Sequence, residues 1–166
     1  GALGNAKQSN IYFESASPTI TNSTISKSSV YGIYADDGSA PALSGNNLLN
    51  NSSYPISVQS SKTSNLGPNT ASNNYQDGIE LRGNVTLNTT WPDTSLPYIV
   101  TADVTINSLS TATLTIEPGV EIRFDPAKGL YVGLYTYPNA YYGALIARGT
   151  AVEPITFTSN AAIPAP

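Results

Sequence analysis

Ser17-Pro-Thr-Ile-Thr-Asn-Ser-Thr-Ile-Ser26, followed by Val30-Tyr-Gly-Ile-Tyr34, holds three short runs in which apolar and polar residues alternate until Asn, Ser or Gly interrupts. Such runs are half-buried strands separated by tight corners. The pattern returns as Ala40-Pro-Ala-Leu-Ser-Gly-Asn46 and Tyr54-Pro-Ile-Ser-Val58, and its spacing is regular. Ile11, Ile33, Ile56 and Ile79 follow one another at a near-constant interval of about 22 to 23 residues, which is the mark of a repeat. The same interval separates Ile20, Leu43 and Leu66, Ile25 and Leu48, and Asn51 and Asn74. Three strand-like runs in every such period describe one coil of a parallel β-solenoid, where each strand pairs with its equivalent one coil away. Strands of a sandwich would not keep such a register.

Towards the C-terminus the alternation continues in Val104-Thr-Ile106, Leu114-Thr-Ile116, Val120-Glu-Ile-Arg-Phe124, Leu130-Tyr-Val132, Leu145-Ile-Ala147 and Ile155-Thr-Phe157. No stretch long enough for a helix keeps apolar residues at three-and-four spacing, so the expected fold class is all-β, without a helical cap. Two stretches leave the period. Residues 84–98, with Trp91, Pro92 and Pro97, divide coils over 1–83 from coils over 99–166; residues 134–142, rich in Tyr, lengthen one coil. Both are expected as lateral loops, because insertions in a solenoid project from its turns. Residues 161–166 read as a turn or linker.

Composition removes several function classes. Of 166 residues none is Cys, Met or His, and 7 basic against 11 acidic residues leave a net charge of −4. Without Cys or His the chain has no disulfide framework, no ordinary zinc, copper or haem site and no His-based catalysis, so no metal or other cofactor is expected. Seven scattered basic residues do not neutralise a phosphate backbone, which excludes nucleic acid as a partner. No apolar run reaches the roughly 18 residues of a membrane helix. The abundance of Ser, Thr and Asn points to an extracellular or cell-surface protein.

The segments 17–26, 30–34, 40–46 and 54–58 resemble the repeats of right-handed parallel β-helix proteins of the pectin-lyase-like superfamily. Leu114-Thr-Ile-Glu-Pro-Gly-Val-Glu-Ile-Arg-Phe124, Ala144-Leu-Ile-Ala-Arg-Gly-Thr150 and Glu153-Pro-Ile-Thr-Phe-Thr-Ser159 are similar to the opening coils of bacterial and archaeal surface members of that group. The resemblance implies a right-handed β-helix. It also raises the question of polysaccharide lyase or hydrolase activity, which requires a paired acid and base, or an acidic calcium cluster beside a base. Asp36 and Asp37 adjoin in a turn, and Glu14, Glu80, Glu117, Glu121 and Glu153 are isolated in sequence. None of them matches the family's catalytic signatures, and no catalytic residue is expected.

The resemblance places opening coils after body coils, as in a permuted unit. A second copy placed after Pro166 would set its Ile11 about 22 residues beyond Ile155, which is the period found within the chain. Together with the missing Met, this spacing predicts that the 166 residues are one unit of a longer solenoid. The expected function is a structural repeating unit of an extracellular fibre, built head-to-tail from copies joined covalently or by stacking, with N-linked glycan. The alternative is a monomeric carbohydrate-binding or adhesive β-helix; the third reading is the polysaccharide-degrading enzyme.

Candidate residues follow from these readings. Ile11, Ile33, Ile56, Ile79, Ile20, Leu43, Leu66 and Ile155 form the core ladder. Five Asn-X-Ser/Thr sequons place glycan candidates at Asn22, Asn50, Asn51, Asn84 and Asn88. Asn84 and Asn88 lead because they fall on the expected loop, whereas Asn22 and Asn51 could instead stack at coil corners. Tyr135, Tyr137, Tyr141 and Tyr142 are candidates for glycan or lateral contact, since an aromatic face packs against a pyranose ring or a neighbouring fibre. Tyr12, Tyr34 and Tyr131 are expected on outer strand faces.

Overall fold

The computed structural model describes residues 5–161. The expected turn at 161–166 lies outside these residues but for Ala161. Of nineteen short strands among the described residues, seventeen stack in parallel as a β-solenoid. The longest sheet stacks β1 (Ile11–Phe13), β4 (Ile33–Ala35), β7 (Ile56–Gln59), β9 (Ile79–Arg82), β11 (Tyr98–Val100), β14 (Glu121–Phe124) and β19 (Thr156–Ser159), with every neighbouring pair parallel. The N-terminal coils add a second sheet of β2 (Thr19–Thr21) and β5 (Ala42–Ser44), and a third of β3 (Thr24–Ser26), β6 (Asn47–Leu49) and β8 (Thr70–Ser72). The C-terminal coils replace these with β12 (Val104–Ile106) and β15 (Leu130–Val132), and with β10 (Thr89–Trp91), β13 (Ala112–Ile116) and β18 (Gly143–Ala147). Helical structure among the described residues is one 3₁₀ turn, Ala6–Gln8, ahead of β1.

Alternation sends every second side chain inward, and pairing with the next coil turns each inward position into a column. Ile11, Ile33, Ile56, Ile79, Tyr98, Ile122 and Phe157 occupy one column of the longest sheet. Ile20 pairs with Leu43, Leu43 bridges to Leu66, and Ile25, Leu48 and Ala71 align in the third sheet. Ile33, Leu43, Leu48, Ile56 and Ile79 are completely buried. Each such Ile or Leu contributes roughly 1.5–3 kcal/mol by leaving water.

Ile155 is not in this column. It is half-buried against the core just before β19, and Phe157 pairs with Ile122 instead. Thr156 pairs with Glu121, so Ile155 lies next to Val120, two residues before Phe157 and on the same inward face; measured from Phe157, the spacing to a following Ile11 falls short of the period.

The corners repeat as faithfully as the strands. Lys27, Asn50 and Asn73 adopt φ of 60°, 53° and 57°, the left-handed conformation that reverses the chain, and Asn22 and Gly45 do so at the other corner. At Gly45 a Cβ would press on the Asn22 side chain of the coil before, and glycine takes the left-handed corner without moving it. The next residue at each corner turns inward: Ser28, Asn51 and Asn74 at one, Asn46 and Asn69 at the other.

Residues 84–98 are not a lateral loop. Val85 bridges to Ile106, β10 pairs with β13, and Trp91 and Tyr98 are completely buried, with ring centres 5.6 Å apart. The indole N–H donates to the Ser60 carbonyl at 2.9 Å and the Tyr98 hydroxyl to the Pro92 carbonyl at 3.0 Å. Large aromatics fill a coil whose circuit departs from the period, and two prolines shape its corners without breaking a ladder. Residues 134–142 do project: β16 (Leu134–Thr136) and β17 (Asn139–Tyr141) form an antiparallel hairpin between β15 and β18.

Candidate functional site

Three groupings outside the core carry chemistry. The first is the pair of amide ladders at the N-terminal corners. The Asn46 side-chain oxygen accepts from Ser23 N at 3.0 Å, and the Asn69 oxygen accepts from both Asn46 N and Asn46 Nδ2 at 3.0 Å. Asn51 and Asn74 repeat the arrangement, with Asn74 Oδ1 2.9 Å from Asn51 N and 2.8 Å from Asn51 Nδ2. Each Nδ2 also reaches a backbone carbonyl of the coil before, as Asn69 does at Leu43 and Asn74 at Leu48. These amides do at the bends what the backbone does along the strands, satisfying polar groups that would otherwise be buried without partners.

The ladders sort the sequons. Asn51 is buried and its Nδ2 is committed to Asn74 and the Ile25 carbonyl, so a glycan on that nitrogen would dismantle the corner. This corrects its candidacy. Asn22 and Asn50 are exposed, at left-handed corner positions. Asn84 and Asn88 are exposed too, although on coil corners. Their Oδ1 atoms accept from Thr105 N at 2.9 Å and Thr113 N at 3.0 Å, and their Nδ2 atoms make no hydrogen bond among the described residues.

The second grouping lies on the outer face of the longest sheet, where Tyr12, Tyr34, Ser57, Glu80, Ile99 and Arg123 form one column. Tyr12 and Tyr34 stack at 5.5 Å with rings 3° from parallel, and the Arg82 guanidinium lies 4.2 Å from the centre of the Tyr34 ring. Glu80 is not isolated. It is only 4% exposed, and Ser57 Oγ donates to its Oε2 at 2.6 Å while Thr101 Oγ1 lies 3.5 Å from Oε1. Arg82 donates through Nε to Ser57 Oγ at 3.0 Å, through Nη1 to Asp37 Oδ1 at 3.0 Å, and through Nη2 to the Ala35 carbonyl.

Val30, Tyr31, Tyr54 and Ile99 form a second apolar cluster, packed with Tyr34, on this side of the sheet. Burial raises the Glu80 pKa, opposed by the Ser57 hydroxyl and by Arg82. Burial, with the Glu80 charge adding to it, pushes the Tyr31 phenol up to about 12. A lone acidic letter in the sequence does not reveal this network; the available signal is Ser57, Glu80 and Arg82 falling on register with strands already aligned. Asp36 sits apart as an ordinary turn carboxylate, lowered by the Ser39 hydroxyl and by the N–H groups of Ser15 and Gly38.

The third grouping is the hairpin. Tyr135, Tyr137 and Tyr142 are exposed and Tyr141 half-buried, and Tyr131 is exposed on β15. Among the described residues no three His, Cys, Asp or Glu side chains converge as metal ligands, and no helix is long and apolar enough to cross a membrane.

A family model described as a right handed beta helix region matches residues 3–90, slightly more than half of the chain. No curated protein and no solved structure matches the chain.

Proposed function

This chain belongs to the right-handed β-helix family, and from that premise we propose that it is a structural repeating unit of an extracellular β-solenoid fibre whose coils continue from one unit to the next. The observation that carries this reading is the last coil. Val132, Leu145 and Phe157 continue the inward columns of the solenoid and stand exposed, Phe157 at 48% although Ile122 beside it in the column is completely buried. A further coil laid on β15, β18 and β19 would bury these side chains and pair the backbone groups that make no ladder bond among the described residues. An interface that repeats without closing gives a filament.

The role is mechanical. Ladders of backbone and side-chain amides run along the axis, so tension loads many hydrogen bonds in series along each column. The exterior of Ser, Thr and Asn keeps the rod soluble, which supports the extracellular assignment. Catalysis has no part in this reading, since Glu80 is withdrawn from solvent and held by Ser57. Glycan attaches at Asn84 or Asn88, whose free Nδ2 atoms allow modification without loss of the coil contact.

Negative-stain electron microscopy of the purified protein across a concentration series tests the proposal. Unbranched filaments are expected, and they should vanish in Leu145→Asp and Phe157→Asp variants. Uniform 17.4 kDa particles under every condition would overturn it. The intact mass of native material should exceed the sequence mass, and Asn84→Gln with Asn88→Gln should remove the excess; an unmodified native mass rejects the glycan part.

A further inference from the structure

The β16–β17 hairpin presents a surface that coil stacking does not explain. Tyr135 pairs with Ala140, and alternation adds Tyr142 to the same face; Leu134 and Tyr141 pair on the other. Thr136 pairs with Asn139, leaving Tyr137 and Pro138 as the turn at the tip. The three tyrosines are the exposed ones, at 70% for Tyr135, 85% for Tyr137 and 56% for Tyr142. Their neighbours on that face and at that tip, Gly133, Pro138 and Ala140, are compact and leave the ring faces open.

Charge is also missing. From Gly129 to Ala147 the sequence has no Asp, Glu, Lys or Arg, in a protein whose ion pairs Lys7–Glu14, Arg82–Asp37 and Arg123–Glu121 all lie elsewhere. We infer that this hairpin face binds neutral polysaccharide, with successive pyranose rings laid by their C–H faces on Tyr135, Tyr142 and Tyr137. An aromatic face attracts the polarised C–H groups of a sugar, and the phenol hydroxyl reaches its ring hydroxyls. A charged polymer finds no countercharge here. The site belongs to a single chain and works whether or not the coils form a fibre.

The test is co-sedimentation of the whole chain with insoluble amorphous cellulose, chitin, mannan and starch, with immobilised polygalacturonate as the charged probe. Retention on at least one neutral polymer is expected, and none on polygalacturonate. Replacing both Tyr135→Ala and Tyr142→Ala removes two stacking contacts and should weaken retention about 10- to 100-fold, while the corresponding double Phe variant stays within about threefold because the rings remain. Leu134→Ala should bind as the parent does. Thermal unfolding of each variant verifies the solenoid, which Tyr142 joins through its backbone bonds to Ser108 and Ala112 and which side-chain replacement leaves in place.

No retention on any neutral polymer would overturn the inference, as would retention on polygalacturonate of equal strength. An unchanged double Ala variant overturns it too, and so does an equal loss in Leu134→Ala. If the parent self-associates and the double Ala variant becomes monomeric without change in polymer binding, the face is a contact between copies and the assignment fails.

Discussion

The N-terminal coils and the C-terminal coils solve the same problem with different materials. In the first, circuits of near-constant length keep identical corners, and stacked amides of Asn46, Asn69, Asn51 and Asn74 hold the bends. In the second, circuits shrink and swell: the step from Ile79 to Tyr98 falls short of the period, that from Tyr98 to Ile122 slightly exceeds it, and that from Ile122 to Phe157 is the longest of all. Yet the longest sheet passes through both without a break. Register along a solenoid is set by the column of inward side chains, and the corners need only return the chain to it. Where circuit length is constant, small polar corners suffice. Where it varies, Trp91 and Tyr98 fill the space that regular corners would have closed.

Substitutions can break this contrast. The largest effect is expected for Trp91→Ala, which opens a cavity in the irregular half and orphans the Ser60 carbonyl; a loss of about 3–5 kcal/mol should appear in chemical denaturation. A loss below about 1 kcal/mol, far under the usual cost of truncating a buried Trp, would mean that the aromatics do not hold the short circuit together. Next comes Asn69→Ala, which strips Asn46 N and Nδ2 of a shared acceptor in a buried corner and should cost about 1–3 kcal/mol. Asn88→Ala, at an exposed corner of the other half, should cost less than Asn69→Ala in the same measurement.

The third test joins the halves at Glu80, which Ser57 contacts from one coil and Thr101 from another. A carboxylate whose pKa is raised by folding binds its proton more tightly in the native state, so its contribution is favourable at low pH and is lost as pH rises past 4.5 and through the folded value. Glu80→Gln should therefore raise the thermal midpoint at neutral pH, and the advantage should disappear below the ordinary carboxylate range. A Gln variant less stable at neutral pH would show that the Arg82 side of the network outweighs desolvation. The smallest effect belongs to the hairpin: Tyr137→Ala, at an exposed tip, should change stability by no more than about 0.5 kcal/mol.

Much of the fold was legible because the period is written in residues that can do only one thing. Ile recurring at a constant interval, with Asn or Gly at the bends, leaves a parallel solenoid as the consistent solution. The reading failed where spacing gave way to volume. Trp91 with two prolines looks like a loop in one dimension, because nothing local says that an indole will occupy the centre of a shortened coil. Ile155 looks like a ladder residue for the converse reason: the residue that pairs with Ile122 is Phe157, two positions later on the same face, an offset no period contains. The hairpin tyrosines and exposed sequons were visible as letters. The union of Ser57, Glu80, Arg82 and Asp37 was not, since it depends on side chains from three coils meeting outside the sheet.

The hairpin leaves and rejoins the coil between Gly133 and Gly143, beside the Ile106 carbonyl, where a Cβ on Gly143 would not fit. Two glycines at adjacent points of one corner make a port. Since the chain already accommodates the excursion over 134–142 there while β15 and β18 stay on their ladders, a protein engineer could exchange it for another hairpin or a small domain whose ends lie close together. In the fibre proposed above, such a cargo would be arrayed once per unit, at intervals dictated by the coil count.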